Sequence, residues 1–260
     1  MKKEDLNAFE GWFAGFVRTY GGGPEEDRKN IALKEEHTRN VCENISIIAR
    51  EEGLSESEGL IALTIALFHD VGRFPQYRKY RTFNDAVSVN HGELGADVLS
   101  KSGLLETLPP SERELITLAV RYHNAFSLPR LDDGRALLFL KMIRDADKLD
   151  IWRVFIELFG QKREERASAA GIGLPDSPGY SGELVSVILE GKIIPLSRVK
   201  TLNDYKLLQL SWIFGLYFRA SYRLTEERGI IGKMSSYLPQ TEEMDKARTL
   251  LKRFVEGKLG

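Results

Sequence analysis

The sequence has few of the features that would place the protein outside a reducing, aqueous compartment. It contains a single cysteine, Cys42, so no intrachain disulfide can form, which is typical of the cytosol. A reactive thiolate needs an electropositive setting that the sequence does not show, so we interpret Cys42 as a packing or surface residue. No apolar run approaches the roughly 18 residues of a membrane span. The amino-terminal segment mixes acidic residues among its apolar ones, unlike a signal peptide. We therefore predict a cytoplasmic protein without a membrane partner.

An excess of charge of either sign is also missing. The 37 basic and 38 acidic residues give a formal net charge of −1. Binding to bulk nucleic acid or to an anionic membrane usually requires a basic field, so the charge balance predicts neither. The composition, 42% hydrophobic and 29% charged, is typical of a globular protein. The length of 260 residues allows one large domain, or a core domain with a helical appendage.

Strand alternation with hairpin turns is absent, whereas apolar residues recur at helical spacing along most of the chain. Two capping boxes, Ser55 with Glu58 and Ser111 with Glu114, predict the starts of the helices that carry His69 and His123. The other predicted helices cover about residues 4–20, 25–52, 91–101, 134–159, 181–190, 203–226 and 241–257. Loops are predicted over 73–83 and 160–180. The predicted fold class is all-α.

Every histidine of the chain falls on the apolar stripe of a predicted helix, because residues three or four apart share one helical face. The histidines are His37, His69, His91 and His123. Asp147 repeats the pattern, and Asp70 follows a histidine at a helix end. A hydrogen-bonded core residue is the alternative for any single inward histidine. However, an inward carboxylate without a partner is costly to bury, and imidazoles with carboxylates suit divalent cations.

The ordered set of His37, His69-Asp70, His91, His123 and Asp147 resembles the HD-domain superfamily of metal-dependent phosphohydrolases. The segments Phe68–Arg73, His91–Ala96 and Arg144–Leu149 are similar to the family's local motifs. The resemblance covers roughly residues 30–155 and implies an HD-domain helical bundle with additional C-terminal helices. We therefore expect a single all-α domain over 1–260, with a metal-binding core at 30–155 and an extension, 156–260, packed on that core.

The resemblance also implies a ligand set for two divalent ions, drawn from Mn, Fe, Co, Ni, Zn and Mg. His37, His69, Asp70 and Asp147 would hold one ion, and Asp70 would bridge to a second ion bound by His91 and His123. Asp70 and His69 are the expected catalytic residues. In this hypothesis a hydroxide activated by both ions attacks the phosphorus of a phosphoester, without a covalent enzyme intermediate.

Departures from the motifs of known branches of the superfamily narrow the range of expected substrates. The Gly-Tyr-Pro signature of cyclic-di-nucleotide phosphodiesterases, the acidic pair of alarmone hydrolases and the Pro-Phe-Gly-His stretch of dNTP triphosphohydrolases are all missing. A nucleotide or small phosphorylated metabolite is the expected partner, and a homodimer is left open. Arg73 is the leading phosphate contact, through bidentate hydrogen bonding. The full set of expected substrate-binding residues is Arg73, Gln76, Lys79, Asn124 and Lys148.

Simpler roles compete with some of these assignments. A solvated loop is the alternative for Gln76 and Lys79, a helix cap for Asn124, and a surface or supporting lysine for Lys148. Two other functions also remain open for the whole chain. One is a di-iron oxygenase of HD fold, since the same ligand types would serve it, and the other is a non-catalytic nucleotide-binding HD module.

Overall fold

The computed structural model describes residues 1–162, 167–169 and 173–260. The described residues form helices and no strand, which confirms the all-α prediction. They divide into two compact units, one of residues 1–150 with 167–169 and one of residues 151–162 with 173–260. None of the helices within these ranges is long and apolar enough to cross a membrane. The predicted division into a core and a packed extension stays a prediction.

The first unit contains the helices that position every predicted ligand. They are α1 (Lys3–Arg18), α2 (Glu25–Glu51), α3 (Glu56–Phe68), α4 (Arg73–Tyr80), α5 (His91–Ser102), α6 (Pro110–Tyr122) and α7 (Gly134–Gly160), the last of which continues into the second unit. Short 3-10 helices occupy Asp85–Val87 and Leu104–Thr107. Helices α1, α2 and α6 pack against α3, α5 packs against α6, and α4 packs against α2 and α5.

Helix α3 is the centre of this unit because its sequence is apolar on nearly all sides, as expected of a buried helix. Ile61, Ile65 and Phe68 are completely buried. The predicted capping box is confirmed: the Glu58 amide donates to Ser55 Oγ, and the Ser55 amide donates to the Glu58 carboxylate. The helix ends at Phe68, so His69 and Asp70 emerge from it inside the core.

A glycine lets the backbone that follows Asp70 touch helix α5. A Cβ atom on Gly72 would lie 2.2 Å from the His91 carbonyl oxygen and 2.6 Å from the Gly95 nitrogen. Only a residue without a side chain fits in this space. The close approach brings the turn at Asp70 next to the start of α5, where His91 is the first helical residue.

Two local predictions for the first unit are wrong. Residues 73–80 form helix α4 rather than a loop; Pro75 lies in the first turn, where its missing N–H would have had no intrahelical acceptor. Helix α6 begins at Pro110 after Pro109, with no side-chain cap, so Ser111 lies inside the first turn and forms no capping box. Proline suits the first helical position because its φ angle is already helical.

The second unit consists of four helices of ten residues or fewer and one of 18 residues, in the part of the chain that follows residue 173. They are α8 (Gly182–Leu189), α9 (Leu202–Ser211), α10 (Arg219–Glu227), α11 (Ile230–Ser236) and α12 (Glu242–Leu259), with 3-10 helices at Leu196–Arg198 and Trp212–Gly215. Helix α12 packs against α8, α10 and α11. Of the loop predicted over 160–180, Gly160 ends α7 and the other described residues are not helical; 163–166 and 170–172 lie outside the described residues.

The single helix predicted over 203–226 is also wrong, because an irregular segment separates α9 from α10. After the 3-10 turn at Trp212–Gly215, Leu216 and Phe218 have extended backbones. The Tyr222 hydroxyl donates a 2.8 Å hydrogen bond to the Leu216 carbonyl oxygen, which stabilises the extended segment. Glycine at 215 weakens helix propagation at the same place. Helix α11 was not predicted at all.

Candidate metal centre

The six predicted ligands come together in the first unit, supplied by α2, α5, α7 and the residues that follow α3 and α6. His37, His69, His91 and His123 are all buried, as is Asp70, and the side chain of Asp147 is 18% exposed. Their arrangement divides into two groups that share Asp70. We call these groups the first half and the second half of the cluster.

The first half consists of His37, His69 and Asp147 around the Oδ2 atom of Asp70. His37 Nε2 lies 3.1 Å from Asp147 Oδ1 and 3.5 Å from Asp70 Oδ2. His69 Nε2 lies 3.8 Å and 3.7 Å from the same two oxygens. The two Nε2 atoms are 3.3 Å apart. Asp70 and the two imidazoles lie close enough together to hold one ion, and Asp147 Oδ1 lies beside both imidazoles.

The second half consists of His91 and His123 around the other carboxylate oxygen of Asp70. Asp70 Oδ1 lies 3.3 Å from His91 Nε2 and 3.8 Å from His123 Nε2. The two Nε2 atoms are 3.0 Å apart. Because each oxygen of Asp70 faces a different histidine pair, this carboxylate has the geometry of a bridge between two positions.

The opposite nitrogen of each imidazole is held by the protein. Nδ1 of His69 donates to the Ala66 carbonyl oxygen at 2.7 Å, and Nδ1 of His123 donates to the Val120 carbonyl oxygen at 2.8 Å. A carbonyl oxygen only accepts hydrogen bonds, so in the neutral rings the proton belongs to Nδ1 and the lone pair to Nε2.

Carboxylates hold the other two histidines, again through the Nδ1 atom. His37 Nδ1 lies 2.7 Å from Asp150 Oδ2, and His91 Nδ1 lies 2.7 Å from Asp85 Oδ2. When all four rings are neutral, their Nε2 lone pairs therefore point at one another and at Asp70. Such an arrangement repels itself unless a cation lies between the nitrogens. The donor set of imidazole nitrogens and carboxylate oxygens, with each ring fixed by an outer partner, fits a divalent metal.

Burial and neighbouring charges keep most of these imidazoles neutral. Burial, with the Arg73 charge, lowers the pKa of His91 to about 4; burial, with the His69 charge, lowers the pKa of His123 to about 4. Burial also lowers the pKa of His69. For His37, burial and Lys34 oppose protonation, but contacts with Asp147 and Asp150 raise its pKa. Neutral imidazole is the form that binds a metal.

The two carboxylates predicted to be ligands remain ionised. Burial opposes the charge of Asp70, but Lys34 and the surrounding cationic groups outweigh it and hold the pKa of that carboxyl well below its usual value. Burial likewise opposes the charge of Asp147, and the contact with His37 more than compensates, so its pKa is also lowered. Both residues can therefore supply negative charge to a bound cation near neutral pH.

A network around Asp85 supports the second half. The buried Gln76 amide donates to Asp85 Oδ1, Ser88 Oγ and the Val89 carbonyl oxygen at 2.8–2.9 Å. Arg73 Nη1 donates to Asp85 Oδ1 at 2.9 Å, and Asn124 Nδ2 donates to Asp85 Oδ2 at 3.1 Å. Three of the residues predicted from sequence to bind substrate thus contact the carboxylate that orients His91.

The other two predicted substrate residues lie in different settings. Lys79 is exposed on α4, with its Nζ 5.0 Å from the centre of the Tyr80 ring, and it makes no hydrogen bond or ion pair with the cluster as far as the structure describes the chain. Lys148 is partly buried beside Asp147, and burial lowers its pKa to about 8. The substrate-binding roles of all five residues stay predictions.

Sequence reasoning missed three residues that contact the cluster. Asp150 lies three residues after Asp147 on α7, and Lys34 lies three residues before His37 on α2, where its Nζ donates to Asp70 Oδ2 at 2.7 Å. Helical spacing could have identified both. Asp85 lies in a segment without periodicity, so no local pattern indicated it.

Comparison with known proteins agrees with this geometry. A family model described as the HD domain matches residues 35–152, a range that contains every predicted ligand of both halves together with Asp85 and Asp150. Neither a search of curated proteins nor a search of solved structures returned a match.

Proposed function

The chain belongs to the HD-domain superfamily, and from this premise we propose that it is a metal-dependent phosphohydrolase with two divalent cations. The substrate class that we propose is a phosphoester of a nucleotide or of a small phosphorylated metabolite. The observation that carries the proposal is the position of Asp70, whose two oxygens face two separate pairs of imidazole Nε2 atoms.

Divalent cations held in this way supply the chemistry of hydrolysis, because they activate water near neutral pH and neutralise charge on phosphoryl oxygens. The role of the protein's own groups is to hold the cations and to orient the donor atoms around them. Asp70 joins the halves, and His69 is fixed by the backbone oxygen of Ala66 so that its Nε2 stays aimed at the first half. The role of Asp147 is to add a second negative charge on that side.

The groups beside Asp70 favour an anionic substrate. Lys34 Nζ and Arg73 Nε lie 2.7 Å and 3.4 Å from the Asp70 carboxylate. Cations next to a metal cluster suit phosphate recognition.

Metal analysis followed by a substrate panel tests the proposal. Protein purified without chelator is assayed for metal content, then loaded separately with Mn, Fe, Co, Ni, Zn or Mg and offered nucleotides and phosphomonoesters. We expect two ions per chain and release of phosphate or of a nucleoside monophosphate. His123→Gln is the matched control, since it should retain the first ion and lose the second.

One outcome would contradict the proposal outright: protein that carries two ions and hydrolyses no phosphoester with any of the six metals. An iron-loaded sample that consumes oxygen in the presence of substrate would instead indicate oxygenase chemistry. Nucleotide binding that raises the melting temperature without turnover would indicate a binding module.

A further inference from the structure

Two cationic side chains flank Asp70, one at each carboxylate oxygen. Lys34 Nζ lies 2.7 Å from Oδ2, and Arg73 Nε lies 3.4 Å from Oδ1. Both also lie against the Phe83 ring, at 5.3 Å for Lys34 Nζ and 5.8 Å for Arg73 Cζ from the ring centre. The two cations therefore occupy equivalent places, but the contacts that hold them differ.

Arg73 is anchored by protein groups. Its Nη1 donates to the Phe83 carbonyl oxygen at 2.6 Å, to Gln76 Oε1 at 2.9 Å and to Asp85 Oδ1 at 2.9 Å. Gln76 is itself fully buried. Moving this guanidinium toward a substrate would break three hydrogen bonds, one of them to Asp85 itself and one to Gln76, which also donates to Asp85. Arg73 is therefore expected to keep its position.

Lys34 has no such anchor. Asp70 Oδ2 is the one hydrogen-bond acceptor that the described part of the chain offers to its Nζ, and its side chain remains 15% exposed. The four-carbon stem of lysine is flexible, and the ammonium acts as a point charge that can change partner.

A cation in the first half would compete directly with Lys34. Asp70 Oδ2, the acceptor of Lys34, is also the oxygen that faces His37 Nε2 at 3.5 Å and His69 Nε2 at 3.7 Å. A divalent ion bound by these atoms would repel the ammonium and withdraw charge from its acceptor. Lys34 would then need another anion at this place.

We infer that this anion is the phosphoryl group of the substrate, so that Lys34 is a phosphate-binding residue that leaves Asp70 when metal binds. Arg73 is then a positioning residue, which acts on His91 through Asp85. The assignment rests on the proposed phosphohydrolase function and identifies the side chain that recognises its substrate.

The test compares Lys34→Gln with Lys29→Gln, a control on the same helix whose lysine side chain is 39% exposed and pairs with Glu25. Full-length protein loaded with Mn²⁺ is titrated with inorganic phosphate by calorimetry, and KM and kcat are measured on any phosphoester that the wild type hydrolyses. We expect Lys34→Gln to weaken phosphate binding and raise KM by about 10- to 100-fold, the usual effect of losing a charged hydrogen bond. Lys29→Gln should match the wild type, and Lys34→Arg should recover part of the loss.

Metal affinity separates recognition of phosphate from mere support of the cluster. Lys34→Gln should bind Mn²⁺ at least as tightly as the wild type, because a competitor for Asp70 Oδ2 is gone. Arg73→Gln should instead lower the affinity for the second ion. Lys34→Gln protein that binds phosphate normally, or that loses metal and phosphate together, would overturn the inference, as would metal-loaded wild type that binds no phosphate. Wild type that binds phosphate through Lys34 but hydrolyses nothing would refute only the proposed function.

Discussion

The two halves of the cluster follow one plan but draw on different kinds of structure. Each half pairs a histidine held by a carboxylate with a histidine held by the carbonyl oxygen three residues before it. In the first half the carboxylate is Asp150, which belongs to the same long helix as Asp147. In the second half it is Asp85, at the start of a three-residue 3-10 helix between α4 and α5.

This difference predicts unequal cation sites. The position of Asp150 follows from the backbone hydrogen bonds of α7, which are independent of the cluster. The position of Asp85 depends on side chains, chiefly those of Gln76 and Arg73. A carboxylate on a regular helix is held more rigidly than one on a connecting segment. We therefore expect the second half to bind its cation more weakly than the first.

Replacing the shared carboxylate should weaken metal binding in both halves at once, so that the difference between them is lost. Asp70→Asn leaves the shape nearly unchanged but removes the charge that both halves use, so we expect metal binding at both positions to weaken by more than about 100-fold, beyond the effect of losing an outer partner. Metal content after dialysis measures this. Asp97→Asn, at an exposed position of α5, is the control. Retention of either ion by Asp70→Asn would argue against a bridge.

Replacing the outer carboxylates should affect one half at a time. Asp85→Asn should lower the affinity for the ion held by His91 and His123 by about 10- to 100-fold. Asp150→Asn should lower the affinity for the ion held by His37 by a similar factor. Two-site metal titration of the two variants measures the effects, and each variant serves as the control for the other. Equal losses at both positions in either variant would show that the halves are not separately supported.

The smallest effect is expected at Cys42, which shares helix α2 with His37 but lies away from the cluster. Burial raises the pKa of this thiol to about 12. Iodoacetamide at pH 8 should therefore alkylate the folded protein at least about 100-fold more slowly than the protein in urea, because the thiolate is the reactive form. Mass spectrometry of timed samples measures the rates.

The same pKa shift gives a sign for the pH dependence of stability. Above about pH 9 the unfolded chain releases the thiol proton, whereas the folded chain retains it up to about pH 12. The folded state then binds more protons, so stability should fall as pH rises through this window. Cys42→Ala should reduce that slope. An unchanged slope, or rapid alkylation of the folded protein, would contradict the assignment of Cys42 as a packing residue.

The sequence predicted the inward direction of all four histidines because helical periodicity is a local signal. Each of the four histidines lies on the apolar stripe of its helix. Packing of that stripe against the core therefore turns the side chain inward. Neither the sharing of Asp70 between two pairs nor the distances could follow from periodicity. The resemblance to a known family implied the first, and the structure supplies the second.

The outer contacts were harder to predict for a physical reason. The position of Asp85 follows from α4, a helix obscured in the sequence by Pro75 and several charged residues, so an error in one element hid the residue that this element supports. The break between α9 and α10 is similar, since it is stabilised by the hydrogen bond from Tyr222 to Leu216, a contact that no local pattern records.

The backbone acceptors of His69 and His123 have a consequence for protein engineering. The carbonyl oxygens of Ala66 and Val120 belong to the main chain, so no point substitution removes them, and the orientation of these two rings is insulated from sequence change. Each half of the cluster also has one outer acceptor that is a side chain. In the first half this acceptor is Asp150, which contacts His37, and in the second half it is Asp85, which contacts His91. Directed evolution that aims to alter the preference for one metal over another would therefore have one such tuning residue for each of the two proposed ions.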